Sequence, residues 1–482
     1  MRSFFTLVIL GALCSVPAAI GLRPVTDLDI WWHLRQAAWI VEQRTLPVTD
    51  PFTSYGTGKT WIAYSWLYEI AVYGLYRIFG LFGIVVYTTA LAVGITFALY
   101  RCLRRQTGDM TVAAGLTMLA IAAMYPVLIE PRPWLFNILF VILELALLIE
   151  VRRSGRTTAL WGLPPLFIVW ASINIQFIYG LFIVAAATLE AFAAERWNVL
   201  RDADAGFRTR PMVLTLIGCM LATCLTPYHI GIYVPVATAI KLTDPFLFLQ
   251  ELQAPSFRFV YDWAALGLLL AATFAVGRYS TPPFLVLLLA TSAFLAFRAH
   301  RDVWLLAIVS AIVLARAPLG RTLERAALRR GELALSGLVV GLFWISLAVT
   351  RASGAELDRA ISAKFPAEAA AFMESRDYRG RVYNHYDWGG YLMWRLPRID
   401  VALDGRNPLH GDARIRESIR TWNGHPGWAS DPELARANIV VADVNMPLSS
   451  LLRKDSRFVL VHEDAVAAVF VAGELARIGG TR

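Results

Sequence analysis

Long apolar runs separated by short polar links fill the chain up to Arg351, and shorter alternating stretches follow. Apolar runs of about 20 residues are long enough to cross a bilayer as helices. The expected spans fall near residues 3–22, 82–100, 110–128, 133–151, 158–173, 176–194, 211–227, 261–277, 282–297, 303–318 and 332–350. The links carry arginine clusters: Arg101/Arg104/Arg105, Arg152/Arg153/Arg156, Arg196 to Arg210, Arg278, and Arg316 to Arg330. Cytoplasmic loops collect such residues. With Arg2, they orient a polytopic, mostly α protein of about 11 transmembrane helices, with its N-terminus inside and its C-terminal region outside.

One apolar stretch departs from this scheme. Ala63 to Phe79 carries Glu69 and Arg77, and a crossing here would move the Arg101 cluster outside. It reads instead as an interfacial helix in a long first outer loop, residues 23–81. Two juxtamembrane helices, near 28–43 and 63–79, then flank a turn-rich linker from Pro47 to Gly58. The expected division is a transmembrane domain over 1–351 and a small extracytoplasmic α/β domain over 352–482. In the latter, five β-rich runs alternate with helical stretches: Arg381–Asn384, Asp400–Leu403, Asn438–Ala442, Phe458–Val461 and Ala465–Val471.

Composition agrees with a membrane protein. Of 482 residues, 57% are hydrophobic and 17% charged, and mean hydropathy is +0.53, outside the usual range of soluble domains. The net charge of +9 sits in the links, so it reports topology and not a nucleic-acid partner. Cys14, Cys102, Cys219 and Cys224 lie in or beside apolar runs without a CxxC pair, which argues against a disulfide framework or a structural zinc site. Ser3 to Leu22, with Pro17-Ala-Ala19, has some features of a signal peptide. Its length favours an uncleaved first span.

The candidate chemistry starts in the first outer loop, at Asp27-Leu-Asp-Ile-Trp-Trp-His33. Ionisable groups beside a membrane face are costly and mark functional sites. Asp29 and His33, one helical turn apart, share a face, while Asp27 suits the N-cap of that helix. An Asp here either takes a proton from an acceptor hydroxyl or holds a divalent cation (Mg or Mn) with its neighbour, making Asp27 and Asp29 the metal-ligand candidates. On the same face the topology gathers Glu69, Arg132, Gln176, His229 and Glu251 as further cavity candidates. Arg298 and Arg301, with His300 between them, break the positive-inside pattern at a junction with almost no loop. Their planar forks suit phosphate oxygens; snorkelling or pairing with the nearby Asp302 is the plainer alternative. Trp31, Trp32, Trp61 and Trp66 read first as interface anchors. In the tail, Gly389-Gly390 marks either a backbone anion site or a tight strand-to-helix turn.

These motifs together resemble a known group. Asp27-x-Asp29-x-Trp-Trp-His33, Pro47, Asp50-Pro-Phe, Trp66-Leu-x-x-Glu69, Arg132-Pro133, Trp170 to Asn174, Pro227-Tyr228, Glu251 with Pro255, Arg298 to Arg301, Trp388-Gly-Gly-Tyr-Leu and Asp404-Gly-Arg406 are similar to those of bacterial GT-C-fold glycosyltransferase-like membrane proteins. These are relatives of the protein O-mannosyltransferases and of the lipid A aminoarabinose transferases. The resemblance implies inverting transfer of a sugar from a polyprenyl-phosphate donor to a lipid, glycan or protein acceptor, on the exterior side of the bacterial cytoplasmic membrane. It matches the acidic site residue of the first loop to Asp29, then to Asp27, and assigns donor phosphate to the outer arginines. The chain departs from the group at Gln176-Phe177, where relatives often have His-Gly. Two other readings compete: a non-catalytic member that binds lipid or an envelope partner, and a transporter, which the scarcity of matched mid-span charges places last.

Overall fold

The computed structural model describes residues 2–197, 206–241, 249–318 and 330–473. Parts of the Arg196–Arg210 and Arg316–Arg330 clusters therefore lie outside the described residues. The chain divides into two compact units. One comprises Met1–Arg23, Ile84–Val236 and Phe246–Ser353; the other comprises Pro24–Gly83, Ala237–Pro245 and Gly354–Arg482. The first outer loop thus falls in the same unit as the tail, where the sequence placed it with the spans.

The first unit is helical. The eleven expected spans all fall on helical segments, but 110–128 is broken into Met110–Ala123 and Tyr125–Leu128, and 158–173 into the 3-10 turn Thr157–Gly162 and helix Leu163–Ala171. Among the described residues, five helices are long and apolar enough to cross a membrane: Leu81–Thr107, Trp134–Ser154, Phe177–Arg196, Val260–Arg278 and Ala334–Arg351. Shorter apolar helices include Met110–Ala123, Thr209–Thr223 and Pro283–Arg298. Helix Val303–Leu314 is buried along its whole length and forms the centre of the unit, packed against helices Met110–Ala123, Val260–Arg278 and Pro283–Arg298. Trp134–Ser154 and Phe177–Arg196 are tied at two levels. Asn137 donates to Gln176, and Arg152 Nε donates to Glu190 at 2.8 Å. Both pairings advance in the same direction, so the two helices run parallel, with Leu163–Ala171 between them in sequence.

The second unit is built on a five-stranded sheet: β1 (Gly380–Asn384), β2 (Ile399–Val401), β3 (Ile439–Asp443), β4 (Phe458–Glu463) and β5 (Ala467–Ala472). The order is β2-β1-β3-β5-β4. β1 runs parallel to β2 and β3, and β5 pairs antiparallel with β3 and β4. All five β-rich runs became strands. Their central members, β3 and β5, are buried along almost their whole length, as near-continuous apolar runs require. The loop linker continues the sheet: Thr53 bridges Val401 in parallel, and the Ser54 N–H donates to the Val401 carbonyl at 2.9 Å. The two loop helices are Ile30–Gln43 and Trp66–Phe79, packed on each other. At 14 residues, Trp66–Phe79 is short for a span of about 20.

Candidate active site

The first-loop residues are held by their own local hydrogen bonds. Asp27 Oδ1 accepts the backbone N–H of Asp29 at 2.9 Å and of Ile30 at 2.8 Å, so Asp27 caps the helix that follows. Asp29 is half-buried at the helix start. One turn on, His33 is buried and lies with Nδ1 2.9 Å from Glu69 Oε1. Gln36 Nε2 donates to the other Glu69 oxygen at 2.6 Å, and Trp61 Nε1 donates to Gln36 Oε1. Glu69 therefore orients His33, and Gln36 and Trp61 orient Glu69. Burial pushes the Glu69 carboxyl up to about 8, against the pull of the Gln36 amide and the Arg406 guanidinium.

The tail motifs turn out to be the scaffold of this loop. A Cβ on Gly405 would collide with Asp29 Oδ1, so glycine lets the Asp404-Gly-Arg406 turn lie against that carboxylate where it stands. Arg406 is fully buried between Asp404 and Asp50, with Nη1 2.8 Å from Asp50 Oδ1. His410 Nε2 lies 3.2 Å from Asp404. Despite the cost of burial, Arg406 and His410 hold the Asp404 carboxyl well below its usual range. Gly389 sits against the Leu403 carbonyl, and Gly390 would carry its Cβ 3.2 Å from Leu28 O and Trp32 N. Close backbone approach explains this pair of glycines, and the helix they open, Gly389–Arg395, has only seven residues. The turn reading therefore replaces the anion-site reading.

The anchor reading fails for three of the four tryptophans. Trp31, Trp32 and Trp61 are each less than 5% exposed. Trp31 packs edge-on against Phe365 and Tyr391, with ring centroids 5.5 and 5.1 Å away. An indole that serves as a core residue has the same local pattern as one at an interface, so sequence did not separate the two.

A second polar cluster lies in the helical unit, around the His300–Asp302 turn between helices Pro283–Arg298 and Val303–Leu314. Arg301 Nη1 is 3.5 Å from Glu251. Asp302 accepts from Gln176 Nε2 at 3.4 Å and from the Tyr179 hydroxyl at 3.2 Å. Gln176 also bonds Asn137, whose Oδ1 accepts from Trp170 Nε1 at 2.7 Å. Burial raises the Asp302 carboxyl, with Arg301 the strongest opposing pull and Arg298 also close enough to act on it. Burial works against charge on Arg301, yet Glu251 and Asp302 raise it, and Arg132 lies near enough to oppose them. His300 Nε2 is 2.9 Å from Asp262, and burial lowers this imidazole against the pull of that carboxylate. Arg301 thus pairs with Glu251 and remains about one-third exposed. His229 is exposed, in a left-handed turn with φ 49°.

The candidates therefore fall into two sets. Asp27, Asp29, His33 and Glu69 belong to the unit that contains the tail, and Arg132, Gln176, His229, Glu251, Arg298, His300 and Arg301 belong to the helical unit. Sequence reasoning missed Gln36, Asp50, Tyr179 and Asp262 as partners, since each meets its contact through the fold. Among the described residues no group of three or more His, Cys, Asp or Glu side chains converges as cation ligands. Asp27 Oδ1 already serves the helix cap.

Many apolar helices, a long structured loop after the first and a small α/β tail define a multi-pass membrane protein with the GT-C fold. The solved structures similar to it bear this out. Archaeal oligosaccharyltransferase AglB from Archaeoglobus fulgidus, in complex with an inhibitory peptide and a dolichol-phosphate, matches 91% of this chain and 69% of its own at 12% identity, with a TM-score of 0.56. ArnT from Cupriavidus metallidurans, bound to undecaprenyl phosphate, matches 98% of each chain at 13% identity with a TM-score of 0.55. Its apo state matches 97% of each at 15% identity with a TM-score of 0.54. No family model and no curated protein sequence matches the chain.

Proposed function

We propose that the chain is an inverting, lipid-carrier-dependent glycosyltransferase. It moves a sugar from a polyprenyl-phosphate donor to a lipid, glycan or protein acceptor of the cell envelope, at the outer face of the bacterial cytoplasmic membrane. The observation that carries this reading is the fold likeness over nearly the whole chain to ArnT bound to undecaprenyl phosphate.

The chemistry follows from the residues. Asp29 takes the proton of an acceptor hydroxyl as its oxygen bonds to the anomeric carbon from the side opposite the phosphate. The carbon–oxygen bond to phosphate breaks, and its electron pair leaves with the polyprenyl phosphate. Arg298 and Arg301 balance that charge, with Arg301 able to offer two parallel donors to phosphate oxygens, and His300 offers a ring N–H beside them. Asp27 fixes the start of the helix that carries Asp29, and Glu69 fixes His33 on the same face. No step is routed through a cation.

The test is turnover of labelled polyprenyl-phosphate sugars by the full-length protein in lipid, with Asp29→Asn as the decisive variant. Loss of transfer with normal folding is expected; transfer at the wild-type rate by Asp29→Asn overturns the assignment. A chelator arm is read separately, and recovery of lost transfer by added Mg or Mn would bring a divalent cation into the reading.

A further inference from the structure

In the unit that contains the tail, a cavity of about 370 Å³ opens between the last turns of helix Asn407–Trp422 and the segment 425–431 that follows. That volume is within the ~300–1,000 Å³ of small-molecule sites. The segment turns back on the helix at Gly427, whose φ of 91° lies in the left-handed region that glycine reaches without strain. Asp431 then pins it in place. Its carboxylate accepts from Arg414 Nη1 at 2.8 Å and Nη2 at 2.7 Å, from the Thr421 hydroxyl at 3.0 Å and from the Tyr383 hydroxyl at 2.8 Å. All four residues are buried, so the floor of the cavity is preformed and its polar groups are committed to each other.

The rim groups are of mixed kind. Trp428 is half-buried, backed by the hydrophobic core of the sheet and by the Arg457 guanidinium 5.9 Å from its ring, and it gives the cavity an aromatic wall. The His425 backbone N–H donates to the Arg420 carbonyl at 3.0 Å, which holds these two residues side by side. Both side chains are exposed, and neither makes an ion pair among the described residues. Glu417 Oε2 accepts from Arg414 at 3.0 Å, and its half-exposed side chain keeps Oε1 open as an acceptor. Arg416 also lines the cavity but already has a partner, so nothing is assigned to it. An aromatic face beside separate donors and acceptors matches a pyranose, which has a C–H face and a hydroxyl edge. A planar guanidinium without a carboxylate partner adds a fork for a carboxylate on that ring.

We propose that this cavity binds a saccharide unit that carries a carboxylate, a hexuronic acid residue of a glycan. The sugar ring lies on Trp428, its carboxylate meets Arg420 and the ring N–H of His425, and a hydroxyl donates to Glu417. The site is separate from the transfer chemistry proposed for Asp29 and does not depend on it.

The experiment uses the full-length protein in a detergent without a sugar headgroup, wild type and Arg420→Gln. The substituted side chain is exposed, so the fold tolerates its loss; a melting curve confirms this for each sample. Binding of D-glucuronate, D-glucose and acetate is titrated by ligand-observed NMR. Wild type is expected to bind glucuronate more tightly than either other probe, since only glucuronate meets both the indole and the guanidinium. Arg420→Gln is expected to bind glucuronate about tenfold or more weakly, the loss of one charge-assisted hydrogen bond, with glucose binding unchanged. Acetate bound as tightly as glucuronate would overturn the saccharide, and glucose bound as tightly would overturn the carboxylate. Absence of glucuronate binding in wild type, or equal binding by wild type, Arg420→Gln and His425→Gln, overturns the site.

Discussion

Gly405 lies against the carboxylate of Asp29 so closely that a methyl group at its Cα would overlap Oδ1. Gly405→Ala is therefore a probe of where Asp29 sits, and it leaves the chemical identity of the carboxylate intact. The methyl can be accommodated by swinging the Asp29 side chain, so the fold should survive. Displacement of a reacting group by about 1 Å costs ~100-fold in rate. Transfer should fall by that order with an unchanged melting curve. A variant with full activity would mean that the position of Asp29 does not matter to transfer.

The side chains of Arg406 and of its acidic partners, Asp50 and Asp404, have no exposed surface. Breaking a buried ion pair from one side strands the remaining charge and costs ~3–5 kcal/mol. Arg406→Met should therefore lower the melting temperature of the full-length protein strongly and reduce its yield. Asp50→Asn, which leaves the Asp404 pair in place, should do so less. Equal stability of Arg406→Met and wild type would show that the loop is not held by this contact.

Glu69 gives a pH dependence of known sign. Its carboxyl is raised from the ordinary 4.5 to about 8 in the fold, so the folded chain holds that proton more tightly than the unfolded chain. Stability from this group is complete below 4.5, declines as pH rises towards 8, and is level above that. The groups facing it are His33, Gln36 and Arg406. Glu69→Gln removes the ionisation, so the fall in melting temperature between the usual carboxylate range and pH 8 should flatten in that variant. An identical slope in both proteins would assign the pH dependence to another group.

The spans and strands were legible because each is a local pattern. Every expected span became helical, five of them at full membrane length, and each β-rich run of the tail became a strand. What was not legible is contact between distant positions. Arg406 reaches Asp50 across 356 residues, and His33 meets Glu69 across 36; no periodicity encodes either meeting. The loop and the tail therefore read as separate elements although they share one unit. Asp27 as a cap was readable, since a cap acts on its own neighbours. The burial of Trp31, Trp32 and Trp61 was not, because the same apolar ring serves a membrane interface and a core.

Arg301 is the residue at which charge and geometry can be separated in the proposed donor binding. It pairs with Glu251 at 3.5 Å and stays partly exposed, so it has donors to spare for a phosphate. Loss of one charge-assisted hydrogen bond costs ~1.5–3 kcal/mol, so Arg301→Gln should raise the KM for a polyprenyl-phosphate sugar by about tenfold or more. If the contact serves the carrier phosphate before and during bond breaking alike, kcat should change much less. Arg301→Lys keeps the charge and loses the fork, so its KM should fall between the two. Steady-state kinetics over donor concentration, at saturating acceptor, reads all three. A KM in Arg301→Gln equal to wild type would remove Arg301 from donor binding and leave it as a partner of Glu251 and Asp302.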